Sequence, residues 1–177
     1  MTNEQIASMF RRIALLLEMR DEPWTRVRAY HNAADVIDDL KTPLADMAAV
    51  GGGARLRELP GIGAHLSERI LEILRTGSCG VYEELKREIP ETVLDLLQVE
   101  GVGIVTARTL YDMFRVGNLD DFVLFARGGG LASVPRLGEK TQARIRASLE
   151  KLCGQTETAA GEEEGPGDGA TEGIDFS

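Results

Sequence analysis

The frame Leu59-Pro-Gly-Ile-Gly63 recurs twice along this chain, as Val99-Glu-Gly-Val-Gly103 and as Val134-Pro-Arg-Leu-Gly138. The copies start 40 and 35 residues apart, and each has an apolar residue seven positions after its last glycine: Ile70, Leu110 and Ile145. Such a repeat constrains the fold more than any single residue does. Its physical reading is a helix, a tight turn and a second helix. The glycines supply positive φ, or let backbone approach closely without a Cβ. The apolar residue between them (Ile62, Val102, Leu137) is expected to plug the core and fix the turn. The following helix then begins with unpaired N–H groups that face outward, an anion site reinforced by the helix dipole. A basic residue one or two turns on flanks the same anion: Arg69, Arg108, and Lys140 with Arg144. In the third copy Arg136 replaces the first glycine, so that copy is expected to bind weakly or to serve as packing.

The rest of the body reads as helix. Ile6, Phe10, Ile13 and Leu17 form one helical face, and Thr2 with Gln5 makes a capping box. Asp21-Glu-Pro-Trp24 is expected to end that helix. A second helix over 26–40 turns Val27, Tyr30, Ala34 and Ile37 inward, and Pro43 suits the first turn of a third. Gly51-Gly-Gly53 reads as a joint. The second helices of the three repeats are expected to run to Arg75, Phe114 and Leu152. No stretch alternates with period two, so the fold class is all-α.

Several functional classes are excluded. No run approaches the ~20 apolar residues of a membrane span, and no basic start followed by an apolar segment marks a signal peptide. Cys79 and Cys153 lack metal-type spacing, and His31 and His65 do not build a zinc site alone. These features fit a cytoplasmic protein without a disulfide scaffold.

Charge divides sharply. All twenty Lys and Arg, and 22 of the 29 acids, lie within residues 1–152; the last 25 residues hold seven acids and no base. The net charge of −9 is therefore about −2 on the body and −7 on the tail. A body so balanced accommodates nucleic acid where its bases cluster.

The repeats resemble helix-hairpin-helix motifs, which hold the sugar-phosphate backbone without reading bases. The wider pattern resembles the N-terminal region of family X DNA polymerases of the bacterial and archaeal type. The residues that carry the resemblance are Ile6-Ala-x-Met-Phe10, Ile13-Ala-x-Leu-Leu-Glu18, Arg26-Val-Arg-Ala-Tyr-His-Asn-Ala-Ala34, Leu59-Pro-Gly-Ile-Gly63, Ile70-Leu-Glu-Ile73, Thr76-Gly77 and Glu100-Gly-Val-Gly103. The resemblance covers residues 1–152. It implies a lyase-like domain over 1–80 with the first hairpin and a fingers-like hairpin domain over 81–152. The acidic tail over 153–177 is expected to be disordered from its Gly, Glu and Thr content.

The resemblance also sets expectations for chemistry. Nucleotidyl transfer in the family uses palm carboxylates that hold two metals, and no palm segment follows residue 152. Asp120-Asp121 reads as a solvated helix start, not a relic metal pair. The family's lyase works through a lysine Schiff base. The matching position is Arg69, whose guanidinium stays protonated and cannot attack an aldehyde. No catalytic residue is therefore assigned. A 5′-phosphate pocket is implied at Arg26, Tyr30, Arg57 and His65, and a monovalent cation at hairpin carbonyls is the one cofactor implied.

The expectation is a non-catalytic protein that binds DNA backbone without sequence choice, at gaps, nicks or single strands, in repair or replication. Its backbone contacts are Gly61, Ile62, Gly63, Arg69, Gly101, Val102, Gly103, Arg108, Gly138, Lys140 and Arg144. Two alternatives stand beside it: a lyase acting through an unaligned lysine or the N-terminal amine, and an adaptor whose hairpins pack against protein. Trp24 reads as a core residue, with stacking on a base or ribose as the alternative. The tail reads as solubilising, as a phosphate mimic folded back on the basic face, or as a docking peptide for a repair or replication protein, through Gly173-Ile-Asp-Phe-Ser177.

Overall fold

The computed structural model describes residues 1–160, with side chains through Gly154. The expected acidic tail lies outside the described residues from position 161 onward. Among the described residues the fold is entirely helical, and no helix is long and apolar enough to cross a membrane.

Helix α1 (Asn3–Met19) begins at the predicted capping box: the Gln5 amide donates to Thr2 Oγ1 at 3.2 Å, and the Thr2 amide donates to Gln5 Oε1 at 2.9 Å. Its predicted stripe of Ile6, Phe10, Ile13 and Leu17 is fully buried. Helix α2 (Trp24–Asp38) packs along α1, and the Phe10 and Tyr30 rings meet edge to face at 5.3 Å. The helix starts two residues before its predicted boundary. Pro23 stands just outside the first turn with φ −52° and has no N–H to lose, so Trp24 joins the helix.

Helix α3 (Leu44–Leu56) likewise starts after Pro43, and its first amide donates to Asn3 Oδ1 at 2.8 Å, which ties the starts of α1 and α3 together. The predicted joint is a kink inside α3, at Gly52 with φ 55° and ψ −144°. The first repeat then leads into α4 (Ala64–Thr76). Helix α5 (Gly80–Glu88) and a 3-10 helix, Glu91–Gln98, lead to the second repeat and α6 (Ile104–Phe114). Helix α7 (Leu119–Arg127) opens on Asn118, whose side chain accepts from the Asp121 amide at 2.8 Å. Asp120 and Asp121 are exposed in its first turn, where acids complement the dipole. A short 3-10 turn, Gly130–Ser133, precedes the third repeat and α8 (Glu139–Ala160). Helix α8 thus runs past the Leu152 at which its apolar stripe stops.

Helix α1 is the spine of the molecule. Besides α2, it packs against α5, the 3-10 helix Glu91–Gln98 and α6, elements beyond the first repeat. Arg12 pairs with Glu91 across this contact. Buried apolar residues form one cluster that runs from Ile6 to Leu149.

Candidate nucleic-acid interface

All three repeats fold into the same turn. The amides of Ile62, Val102 and Leu137 donate back to the carbonyls of Leu59, Val99 and Val134 at 3.1, 3.0 and 3.3 Å. The third residue of each turn has positive φ: 75° at Gly61, 98° at Gly101 and 62° at Arg136. The arginine of the third copy therefore keeps the turn and accepts a conformation that costs L-residues roughly 1–2 kcal/mol. The plug residues Ile62 and Val102 are buried, as expected. Leu137 is only half-buried, so the third plug is shallower.

The helix that follows each turn opens uncapped. Gly63 and Gly103 have extended φ/ψ and no side chain to cap with, and the first bonds from α4 and α6 come from Ser67 to the Gly63 carbonyl and from Ala107 to the Gly103 carbonyl, both 2.9 Å. In α8 the matching bond runs from Gln142 to the Gly138 carbonyl at 3.0 Å. Gly63, Gly103 and Gly138 each face open space where a Cβ would stand. The first amides of α4 and α6 thus have no capping side chain, and open space lies at the glycine before each, the arrangement that receives an anionic oxygen.

At the first repeat these amides open on a cleft of about 530 Å³. Its lining includes Arg26, Ala29 and Tyr30 from α2, Gly61 and Gly63 from the turn, and His65, Leu66 and Arg69 from α4. The structure thus brings together Arg26, Tyr30, His65 and Arg69 with the first turn, four side chains separated by up to 43 positions in sequence. Arg57 does not join them. It is exposed at the end of α3 and does not line the cleft.

Two carboxylates hold the cleft's cations in place. Glu22 Oε2 accepts from Arg26 at 3.0 Å while its other oxygen accepts from Arg20 at 2.7 Å, and Arg20 reaches Glu88 on α5 at 3.2 Å. Hydrogen bonds from Arg20 and then Arg26 hold the Glu22 carboxyl below its ordinary pKa. Glu72 Oε2 accepts from Arg69 at 3.1 Å, and Glu72 Oε1 accepts from the Gly80 amide at 2.9 Å. Burial alone lowers the basicity of Arg69, but Glu72 and Tyr30 overcompensate and leave its pKa raised. Burial pushes the Tyr30 phenol up, and Cys79 adds to this, while Arg69 and Arg26 draw it partly back. Tyr30 is therefore a neutral phenol at physiological pH, able to donate a hydrogen bond. It is both a core residue, 6% exposed, and part of the cleft wall.

Glu22 and Glu72 are absent from the residues that the sequence singles out, although the signal was present. They stand at i−4 from Arg26 and i+3 from Arg69, the spacings at which helical side chains meet. They offset the cationic charge of the cleft while fixing the direction of each guanidinium.

The second and third repeats pack on each other. Helix α8 crosses the second turn: a Cβ at Gly101 would lie 3.2 Å from Ile145 Cγ1 and 3.4 Å from Thr141 Cγ2. The Glu100 amide donates to Ser148 Oγ at 2.9 Å, and Arg144 pairs with Glu100 at 3.1 Å. Arg144 is thus placed beside the second turn, though it belongs to the third repeat. Arg108 is tied to Asp112 one turn along α6, whereas Lys140 is exposed at the start of α8.

The turn carbonyls bear on the implied monovalent cation. In the third repeat the Leu137 carbonyl already accepts from Gln142 Nε2 at 3.0 Å, and no such side-chain donor occupies the Ile62 or Val102 carbonyl among the described residues. The first two turns fit a cation better than the third.

Residues 1–79 match the family described as Helix-hairpin-helix domain, and residues 93–151 match SAM-like Helix-hairpin-helix tandem. The gap between the matches, residues 80–92, holds α5 and the start of the 3-10 helix Glu91–Gln98. The chain is similar to the DNA polymerase/3′-5′ exonuclease PolX of Bacillus subtilis (strain 168), 23% identical over 157 residues that cover 89% of this chain and 26% of that protein. It is also similar to the Holliday junction branch migration complex subunit RuvA of Hathewaya histolytica, 29% identical over 97 residues that cover 55% of this chain and 49% of that protein. The chain spans about a quarter of the first relative and half of the second.

Proposed function

We propose that this chain binds DNA through its sugar-phosphate backbone, without sequence preference and without catalysis, and that the first-repeat cleft receives a terminal 5′-phosphate at a gap or nick. The observation that carries this reading is the cleft itself. Uncapped amides of α4, two guanidiniums aimed by carboxylates and a neutral phenol converge on one opening. Each is a donor, and their common complement is a phosphate. The similarity to a DNA polymerase and to a Holliday-junction protein supports DNA as the partner. A monovalent cation on the carbonyls of the first two turns would add positive charge beside the backbone.

The cleft lining supports a binding role over the Schiff-base reaction. It contains Arg69 and His65 but no lysine. Lys86 lies elsewhere, paired with Glu83 at 2.9 Å and 4.5 Å from the centre of the Tyr82 ring. A guanidinium holds phosphate well but does not condense with an aldehyde.

The test is anisotropy titration of gapped duplexes that differ only in a 5′-phosphate or a 5′-hydroxyl. The phosphorylated gap binds about 3- to 10-fold more tightly, the worth of one ordinary net hydrogen bond. The affinity for DNA falls with salt, with a log–log slope of roughly −2 to −4 for two to four neutralised phosphates. A flat salt response, or equal affinity for both ends, overturns the reading. Borohydride reduction on an incised abasic site gives no covalent adduct, and a trapped band refutes the non-catalytic assignment. The pair Arg69→Lys with His65→Lys introduces the missing amine and yields weak trapping.

A further inference from the structure

The geometry points to a nucleobase-stacking subsite at Trp24, taken by an unpaired base of a single-stranded DNA segment that adjoins the cleft. The inference rests on the backbone-binding reading above and extends it from phosphate to base.

Trp24 is the sole tryptophan of the chain, and it is 61% exposed, contrary to the expectation that it packs in the core. An exposed indole of that size forgoes a large burial energy, so its position calls for a physical reason. It is the first residue of α2, directly after Pro23, so the helix orders its backbone. A flat apolar ring exposed on a helix-ordered backbone is a stacking platform, because the backbone part of the ordering cost is met before a ligand arrives.

The surroundings select a nucleic acid over other flat ligands. Arg28 is one turn along the same face of α2, exposed and without an ion pair among the described residues, and His31 follows on the next turn. The start of α2 adds partial positive charge. Pro23 offers no side-chain cap, and the first α2 amide bonded back to the chain is that of Arg26, to the Pro23 carbonyl at 2.8 Å. The amides of Trp24 and Thr25 are left for an outside acceptor. Farther along the helix the character reverses. Asp35 and Asp38 are engaged by Arg11, and Asp39 follows, so the far end of α2 repels phosphate. The favourable surface is therefore confined to the first two turns.

That surface is on the side of α2 turned away from Arg26, Ala29 and Tyr30, which line the cleft. Arg26 lines the cleft and lies about 3 Å farther along the helix axis than Trp24. The two side chains leave different sides of the first turn, so a strand that serves both passes over the open end of α2, across the free amides. Duplex DNA keeps its bases stacked on one another and has no free face to offer there, so the subsite selects an unpaired strand.

The experiment uses the native tryptophan as the reporter. The full chain is titrated with a 5′-phosphorylated oligothymidylate carrying a 3′ dye and, separately, with a backbone of the same length in which every base is replaced by an abasic tetrahydrofuran. Dye anisotropy reports occupancy, and indole emission reports contact with a base. At equal occupancy the thymidylate quenches the indole and the abasic backbone does not. Trp24→Ala weakens thymidylate binding by about 5- to 20-fold, the lower part of the range for one base–aromatic stack, and leaves the abasic affinity within about twofold, as a surface substitution should. Trp24→Phe recovers most of the loss and Trp24→Leu does not. Helical circular dichroism of each variant matches the parent, since the side chain is on the surface. If thymidylate binds without changing the indole emission, or binds Trp24→Ala as tightly as the parent, the subsite is refuted while backbone binding stands. If neither oligomer binds, both readings fall together.

Discussion

Gly61 and Gly101 occupy the same place in the same turn, yet different physics requires a glycine at each. Gly61 has φ 75° and open space where a Cβ would be, so its requirement is conformational. Gly101 has φ 98° and, in addition, Ile145 and Thr141 against it. Gly61→Ala is expected to cost about 1–2 kcal/mol, the strain of a left-handed alanine. Gly101→Ala is expected to cost about 2–4 kcal/mol, because overpacking adds to that strain. Urea unfolding of the two variants checks the order, and equal losses would mean that α8 yields to the added methyl. Arg136 is the converse case. Arg136→Gly relieves the strain of φ 62° but enlarges the unfolded ensemble, so a net gain of about 0.5–1 kcal/mol is expected in the same assay. The glycine spacing made all three turns legible in the sequence. It could not separate a turn that needs glycine for its dihedrals from one that also needs it for packing, since Ile145 lies 44 positions from Gly101. Nor did it place Arg57, whose basic character suits a phosphate pocket but whose position at the end of α3 leaves it outside the cleft.

At the scale of elements, local signals were read well and the contacts between elements were not. The capping box of Thr2 and Gln5, the buried stripe of α1 and the inward face of α2 depend on residues within four positions of one another. Prolines displace the helix boundaries from those the sequence predicts: Pro23 and Pro43 both stand immediately outside the helices they introduce, α2 and α3. The largest missed feature is the crossing of α8 over the second turn. It rests on Ile145, which is fully buried, on the Ser148–Glu100 bond and on the Arg144–Glu100 pair. The pair is exposed on both sides and contributes little. Ile145 carries the contact, and Ile145→Ala is expected to cost about 2–4 kcal/mol by deleting buried methyl groups and leaving a cavity. Arg144→Ala, by comparison, stays within about 1 kcal/mol. Hydrogen exchange locates the effect: Ile145→Ala speeds exchange at Val102 and leaves Ile62 in the first turn protected. Loss of protection at both turns would mean that the first and second repeats unfold as one unit.

The whole molecule carries its charge in an arrangement that local motifs do not reveal. Its net charge of −9 opposes a polyanion, yet the cleft is built of hydrogen-bond donors. Part of the opposition is local, in Glu22 and Glu72, which stay in place to aim their arginines. Another part is in residues 161–177, outside the described structure, which hold six acids and no base. A like charge within about 10 Å of the approaching backbone acts at 0.1 M salt and is screened beyond that distance. Removal of residues 161–177 takes the net charge from −9 to −3 and preserves the described part of α8. Binding of a 5′-phosphorylated gapped duplex is expected to tighten several-fold at low ionic strength, with the gain shrinking toward unity as salt rises toward ~0.5 M. Two mechanisms give that affinity change. One is simple repulsion of DNA by the acids; the other is direct competition, with the acids resting on the same amides that receive phosphate. NMR of the DNA-free protein separates them. Competition shifts the Gly61 and Gly63 amides when the segment is removed, whereas repulsion alone leaves them where they were. An affinity unchanged at low salt would place the six acids too far from the cleft for either mechanism, and the charge that limits binding would then be that of Glu22 and Glu72 within it.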